Sequence, residues 1–160
     1  MSVLVLTPFA ETRRHLRQSL RRLHLPFAFA KGIGGFRTVA ASACSVVICE
    51  AELEVGTWVD VLDLCEVYGS PNLIVTSRLA DEILWSEVLH RGGFDVLAQP
   101  LDDAEVDRVI VLAHEAYHRR RATVGATASS VRVPSRGRLL FRSRMQSAKI
   151  GLLGVNGATS

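Results

Sequence analysis

Cysteine is scarce in this chain, acid is missing from one end, and no long apolar run exists. The 160 residues include three cysteines, Cys44, Cys49 and Cys65, an odd number with no CxxC spacing. That pattern excludes a disulfide framework and the paired-cysteine layout of a structural zinc site. It leaves the thiols as small buried apolar groups in a reducing compartment. No apolar run approaches the roughly 18–20 residues needed to cross a bilayer, so no membrane span is expected. The first residues run apolar and then basic, the reverse of a secretory signal, and a cytoplasmic location is expected.

No acidic residue follows Glu115. Residues 119–160 hold nine basic residues (Arg119, Arg120, Arg121, Arg132, Arg136, Arg138, Arg142, Arg144 and Lys149), a formal +9. The first 118 residues keep the other ten basic residues against all 16 acids, a formal −6. An overall charge of +3 therefore conceals an acidic body and a basic arm. The body is rich enough to fold, because 48% of the chain is apolar and 22% charged, and a chain of this length buries roughly two-thirds of its unfolded surface. The division predicted is a domain over 1–120 and a flexible basic tail over 121–160.

Strand and helix signals alternate through the body. Residues 3–6, 45–49 and 72–76 are short apolar runs of the kind buried on both faces of a sheet. Pro26 opens a further apolar run, and residues 95–98 form a short fifth one. Between them, Leu16, Leu20 and Leu23 mark an amphipathic helix that Thr7 and Pro8 are expected to start as N-cap and first helical residue. A weak helix is expected at 35–42, a helix at 57–68 with Trp58, Val61, Leu62 and Cys65 on one face, and a helix at 80–91 stopped by Gly92-Gly93. Asp102 and Glu105 form a capping box for a last helix whose inner stripe is Val106, Val109, Ile110, Ala113 and Tyr117. Such alternation predicts an α/β fold, a five-stranded parallel sheet with helices on both faces. In the tail, Phe141, Met145, Ala148 and Leu152 fall on one helical face, a weak basic amphipathic pattern, but disorder in isolation is the expected state.

In an open parallel sheet, ligands and chemistry gather at the carboxyl ends of the strands. Here those ends present Thr7-Pro8, Ala30-Lys31, Cys49-Glu50, Thr76-Ser77 and Gln99-Pro100. An acid closing the third strand and Thr-Ser closing the fourth are similar to a bacterial response-regulator receiver domain of the flavodoxin-like, CheY-like group. So is the stretch Arg91-Gly-Gly-Phe-Asp-Val-Leu-Ala-Gln-Pro100. The resemblance covers residues 1–120. It implies a role in two-component signal transduction, with two acids after the first strand holding Mg²⁺ and an aspartate closing the third strand as phosphoryl acceptor. It also implies a hydroxyl closing the fourth strand and a lysine before the proline that closes the fifth.

Only the hydroxyl is kept, in Thr76 with Ser77 beside it. Thr7 and Pro8 stand at the acidic-pair positions, Glu50 at the acceptor position and Gln99 at the lysine position, and Val96 replaces the aromatic switch residue. Magnesium needs several hard oxygen ligands, and one glutamate is a poor cage. Expected, therefore, is a degenerate pseudo-receiver that is not phosphorylated, uses no metal or cofactor, and acts by protein–protein interaction. For Glu50 two meanings stay open. It is a fixed mimic of the phosphorylated state, hydrogen-bonded by Thr76, or it is a solvated acid at a loop start.

Trp85 and Leu89 on the fourth helix, with Val111 and Leu112 on the last, are surplus to single core stripes and form a candidate interaction face, with a homodimer as one partner. Nucleic acid is disfavoured as a partner, since Phe141 is the one aromatic residue available for stacking in the tail. An alternative class is a scaffolding protein that reuses the receiver fold and binds an acidic partner or nucleic acid through its tail. An enzyme using Cys49 or Glu50 is disfavoured for want of a base within reach. The glycines at 32, 34 and 35 follow the second strand without phosphate-loop spacing and read as a turn.

Overall fold

The computed structural model describes residues 3–39 and 44–126. The tail beyond Ala126, with its candidate helix, lies outside the described residues. Five strands, β1 (Val3–Leu6), β2 (Phe27–Ala30), β3 (Val46–Glu50), β4 (Asn72–Ser77) and β5 (Asp95–Ala98), alternate with five helices. The helices are α1 (Ala10–Arg22), α2 (Gly32–Val39), α3 (Trp58–Val67), α4 (Glu82–Arg91) and α5 (Asp103–Ala126). All neighbouring strands are parallel, in the order β2-β1-β3-β4-β5.

Period-two alternation along the strands divides the core into two layers. Leu4, Leu6, Val47, Cys49, Leu73, Val75 and Val96 pack against Phe36 of α2, Trp58, Val61 and Cys65 of α3 and Val88 of α4. Val3, Val5, Val46, Ile48, Ile74 and Leu97 pack against Leu16 and Leu20 of α1 and the inner stripe of α5. Every residue of the expected α5 stripe is buried, and the three cysteines are free and buried. Leu62, expected on the inner face of α3, is only partly buried against that core.

Three helix starts are set by short polar side chains. Thr57 caps α3 by accepting from Val59 N, while Asp60 accepts from Thr57 N at 2.7 Å, a complete capping box. Asp81 accepts from Leu84 N at 2.9 Å, and Asp102 accepts from Glu105 N at 2.9 Å. The fourth helix ends on Gly92 in the left-handed region at φ 102°, a conformation that costs a β-carbon dearly. α2 begins at Gly32, earlier than the sequence pattern suggests, and α5 continues to Ala126 through residues that read as the start of the linker.

The expected start of α1 is corrected. Thr7 is not its N-cap, because the helix begins at Ala10 with Phe9 at the cap position and no side-chain cap bond. The Thr7 hydroxyl is spent elsewhere.

Candidate functional site

Register places the first of the site residues. Leu6 pairs with Cys49 across β1 and β3, so the next residues, Thr7 just beyond β1 and Glu50 at the last position of β3, stand side by side at the carboxyl edge of the sheet. Both are buried, at 1% and 3% exposure. Thr7 Oγ1 donates to Glu50 Oε1 at 2.8 Å and accepts from Phe9 N at 3.2 Å. From the end of β5, Gln99 Nε2 donates to Glu50 Oε2 at 2.8 Å. Each oxygen of the carboxyl group thus has its own donor, one from each side of the central strand. Arg13 closes the Thr7 corner by donating to the Thr7 carbonyl at 3.0 Å.

Burying a carboxylate is costly unless its oxygens are hydrogen-bonded. Here two neutral donors fill the positions at which the receiver resemblance expects an acid and a lysine. The departures at the three strand ends form one connected clamp, Thr7–Glu50–Gln99. The signal for it was chemical complementarity, since both departures put a neutral hydrogen-bond donor next to the one acid retained.

The expected surroundings of Glu50 are corrected on two points. It is not a solvated acid, and the Thr76 hydroxyl, though Thr76 is its register partner on β4, does not bond its carboxyl group. The Thr76 hydroxyl, also buried, donates to the Cys49 carbonyl at 3.4 Å, while the Thr76 carbonyl accepts from Ala51 N at 2.9 Å. Ser77 Oγ accepts from Leu79 N at 3.0 Å and shapes the β4–α4 turn. Pro8 is exposed and contributes no ligand atom. The Arg78 guanidinium lies 5.2 Å over the ring of Phe9 at the rim.

The magnesium that the resemblance implies does not fit this donor set. A hard divalent ion needs several anionic or carbonyl oxygens in octahedral array. The one carboxylate here already faces two donors, and among the described residues no three His, Cys, Asp or Glu side chains come together as a cage.

Cys49 points into the α2–α3–α4 layer. Burial, with Cys65 and Glu50 nearby, pushes its thiol well above the ordinary value, and burial pushes Cys65 up to about 12. A nucleophilic cysteine needs the opposite shift.

The proposed interaction face is also corrected in detail. Trp85 is half-buried and packs with Leu84 against the core, so its bulk is structural. Leu89 and Leu112 are half-buried, and Val111 is exposed. The apolar side chains that do stand out on this side are Ile83, 77% exposed, and Leu79, 81% exposed. Among the described residues no helix is long and apolar enough to cross a membrane.

No family model and no curated protein sequence matches the chain. Solved structures do. The signal receiver domain of an HD domain-containing protein from Pseudomonas fluorescens Pf-5 superposes with a TM-score of 0.68 at 22% identity, over 76% of this chain and 91% of that one. The chain has the receiver fold. The chemotaxis response regulator CheY4 of Vibrio cholerae matches with a TM-score of 0.61 at 15% identity, over 70% and 97% of the two chains. A protein named adenylate cyclase from Rhodopirellula baltica matches with a TM-score of 0.71 at 10% identity, over 81% and 98%. At these identities the likeness is one of receiver architecture, and it says nothing of what this chain binds or transfers.

Proposed function

We propose that this receiver fold serves in signal transduction without aspartyl phosphorylation, holding a permanently closed centre and acting through protein partners. The observation that carries the reading is the clamp on Glu50. Phosphoryl transfer brings the negative oxygens of the phosphoryl group against an anionic acceptor and needs a cation to neutralise them. Thr7 and Gln99 supply no charge, and both Glu50 oxygens are already bonded. An uncharged amide at position 99 also cannot pair with a phosphoryl oxygen as an ammonium would. A centre that needs no ion has one resting state, which suits constitutive binding better than switching. Incubation of the full chain with acetyl phosphate and Mg²⁺, followed by intact-mass measurement, tests this. No added phosphoryl mass is expected. An adduct on Glu50, or retention of beryllofluoride with Mg²⁺ by the folded protein, would overturn it.

A further inference from the structure

The domain's acidity is confined to part of it. Residues 3–39 carry Arg13, Arg14, Arg17, Arg21, Arg22, Lys31 and Arg37 against Glu11 alone, a formal +6. Residues 44–118 carry three basic side chains against 15 acids, a formal −12. Five of the arginines sit on α1, beside the edge strand β2. Arg22 is neutralised by Asp107, at 2.8 and 3.0 Å, and approaches Asp103 at 3.4 Å. Arg13 is held by the Thr7 carbonyl. Arg14, Arg17 and Arg21 are exposed and have no ion pair among the described residues.

These three cations follow one another along α1 at intervals of three and four residues, a row about 10 Å long. Beside the row lies an aromatic pair. Phe27 and Phe29, both half-buried on the edge strand, meet edge-to-face at 5.6 Å, and the guanidiniums of Arg13 and Arg17 lie 5.3 and 5.1 Å from the Phe29 ring centre. The acids of α3 and α4 stand across the sheet, roughly 20 Å away for helices about 10–12 Å across. That is more than two Debye lengths at physiological salt. On the near side, Asp103 and Asp107 of α5 are occupied by His15 and Arg22. The local field at α1 is therefore positive although the body as a whole is acidic.

From this juxtaposition we infer that the α1–β2 edge binds single-stranded nucleic acid, with Arg14, Arg17 and Arg21 on successive phosphates and the Arg17–Phe29 stack as a platform for a base. A row of three like charges without ion pairs among the described residues calls for a partner with regularly spaced negative charge. It suits a phosphodiester chain, whose binding is carried by such rows. Guanidinium planes backed by an aromatic ring accept a stacked base. The inference does not depend on the phosphorylation reading, because none of these residues belongs to the Glu50 clamp.

The test is fluorescence anisotropy of the full chain with a fluorescein-labelled oligothymidylate at about 50 and about 200 mM salt. Three single-strand phosphate contacts give a log–log salt slope of about −2, or a loss of about fifteen-fold over that range. The variant R14Q/R17Q/R21Q is expected to lose tenfold or more in affinity at low salt and about 2 from the slope. The milder R14Q/R21Q, which leaves Arg17 on Phe29, should lose more than 1 from the slope. A full-length R132Q/R136Q/R138Q/R142Q protein should keep the α1 contribution. No binding by the parent chain, unchanged binding by both α1 variants, or loss only in the 132–142 variant would overturn the proposal. Equal affinity for duplex DNA or for polyglutamate would also overturn it, in favour of a general polyanion surface.

Discussion

Replacing Thr7 with valine removes one donor from the Glu50 clamp with little change in shape. Thr7 Oγ1 and Glu50 Oε1 are 2.8 Å apart, and both residues are buried. A hydrogen bond to a charged group contributes about 1.5–3 kcal/mol, and the acceptor left behind cannot turn to water. The same hydroxyl also accepts from Phe9 N at 3.2 Å, a weaker contact at the edge of the site. Together they predict a loss of about 2–3 kcal/mol for Thr7→Val. At about 4 °C per kcal/mol for a domain of this size, Tm should drop by about 8–12 °C. Thr76→Val is the internal control. Its hydroxyl reaches the Cys49 carbonyl at a long 3.4 Å, so its loss should stay under about 1 kcal/mol. Urea titrations followed by far-UV circular dichroism give both values from the shift in midpoint at constant slope. If Thr76→Val costs as much as Thr7→Val, or Thr7→Val costs less than about 0.5 kcal/mol, Glu50 is not held by the clamp described above.

Two further outcomes follow from other parts of the molecule. A β-carbon at Gly93 would stand 2.5 Å from Val88 Cγ1 and 2.9 Å from the Val88 carbonyl oxygen. Val88 is fully buried, so Gly93→Ala should cost about 1–3 kcal/mol, whereas Gly34→Ala, with nothing within 4 Å, should gain up to about 1 kcal/mol; urea midpoints of the two variants separate the cases. Burial, with His118 at 4.4 Å, holds the His114 imidazole below its ordinary value, so below about pH 6.5 the unfolded chain takes up a proton that the folded one resists. Stability from this group is complete above that pH and is lost as pH falls through it. Urea midpoints should therefore decline less between about pH 7 and pH 5 in His114→Asn than in the parent, and equal declines would refute the assignment.

The α/β alternation was legible because its signals are local: apolar runs of strand length, capping side chains and a helix-stopping glycine pair. Trp85 shows the limit of that reading. Surplus apolar area on α4 looked like a docking face, yet the Trp85 indole packs against the core, and the exposed apolar side chains are Ile83 on the helix and Leu79 in the segment before it. Thr7-Pro8 likewise has the chemistry of a helix start and is diverted from it. Its hydroxyl donates to the buried Glu50 carboxylate and accepts from Phe9 N, one residue before the helix, so it does not reach an amide of the first turn.

By itself the chain's sequence determined the order of its elements, the burial of its cysteines, and the absence of the usual acids and lysine at the strand ends. Those properties depend on residue type and on spacing along the chain. Tertiary structure alone decided that Thr7, Glu50 and Gln99, separated by 43 and 49 positions, would meet in one clamp. It also decided that an overall acidic body would show a positive edge at α1. Hydrogen bonds act over about 3 Å and charges over about 8 Å in salt, so both depend on which strands and helices become neighbours.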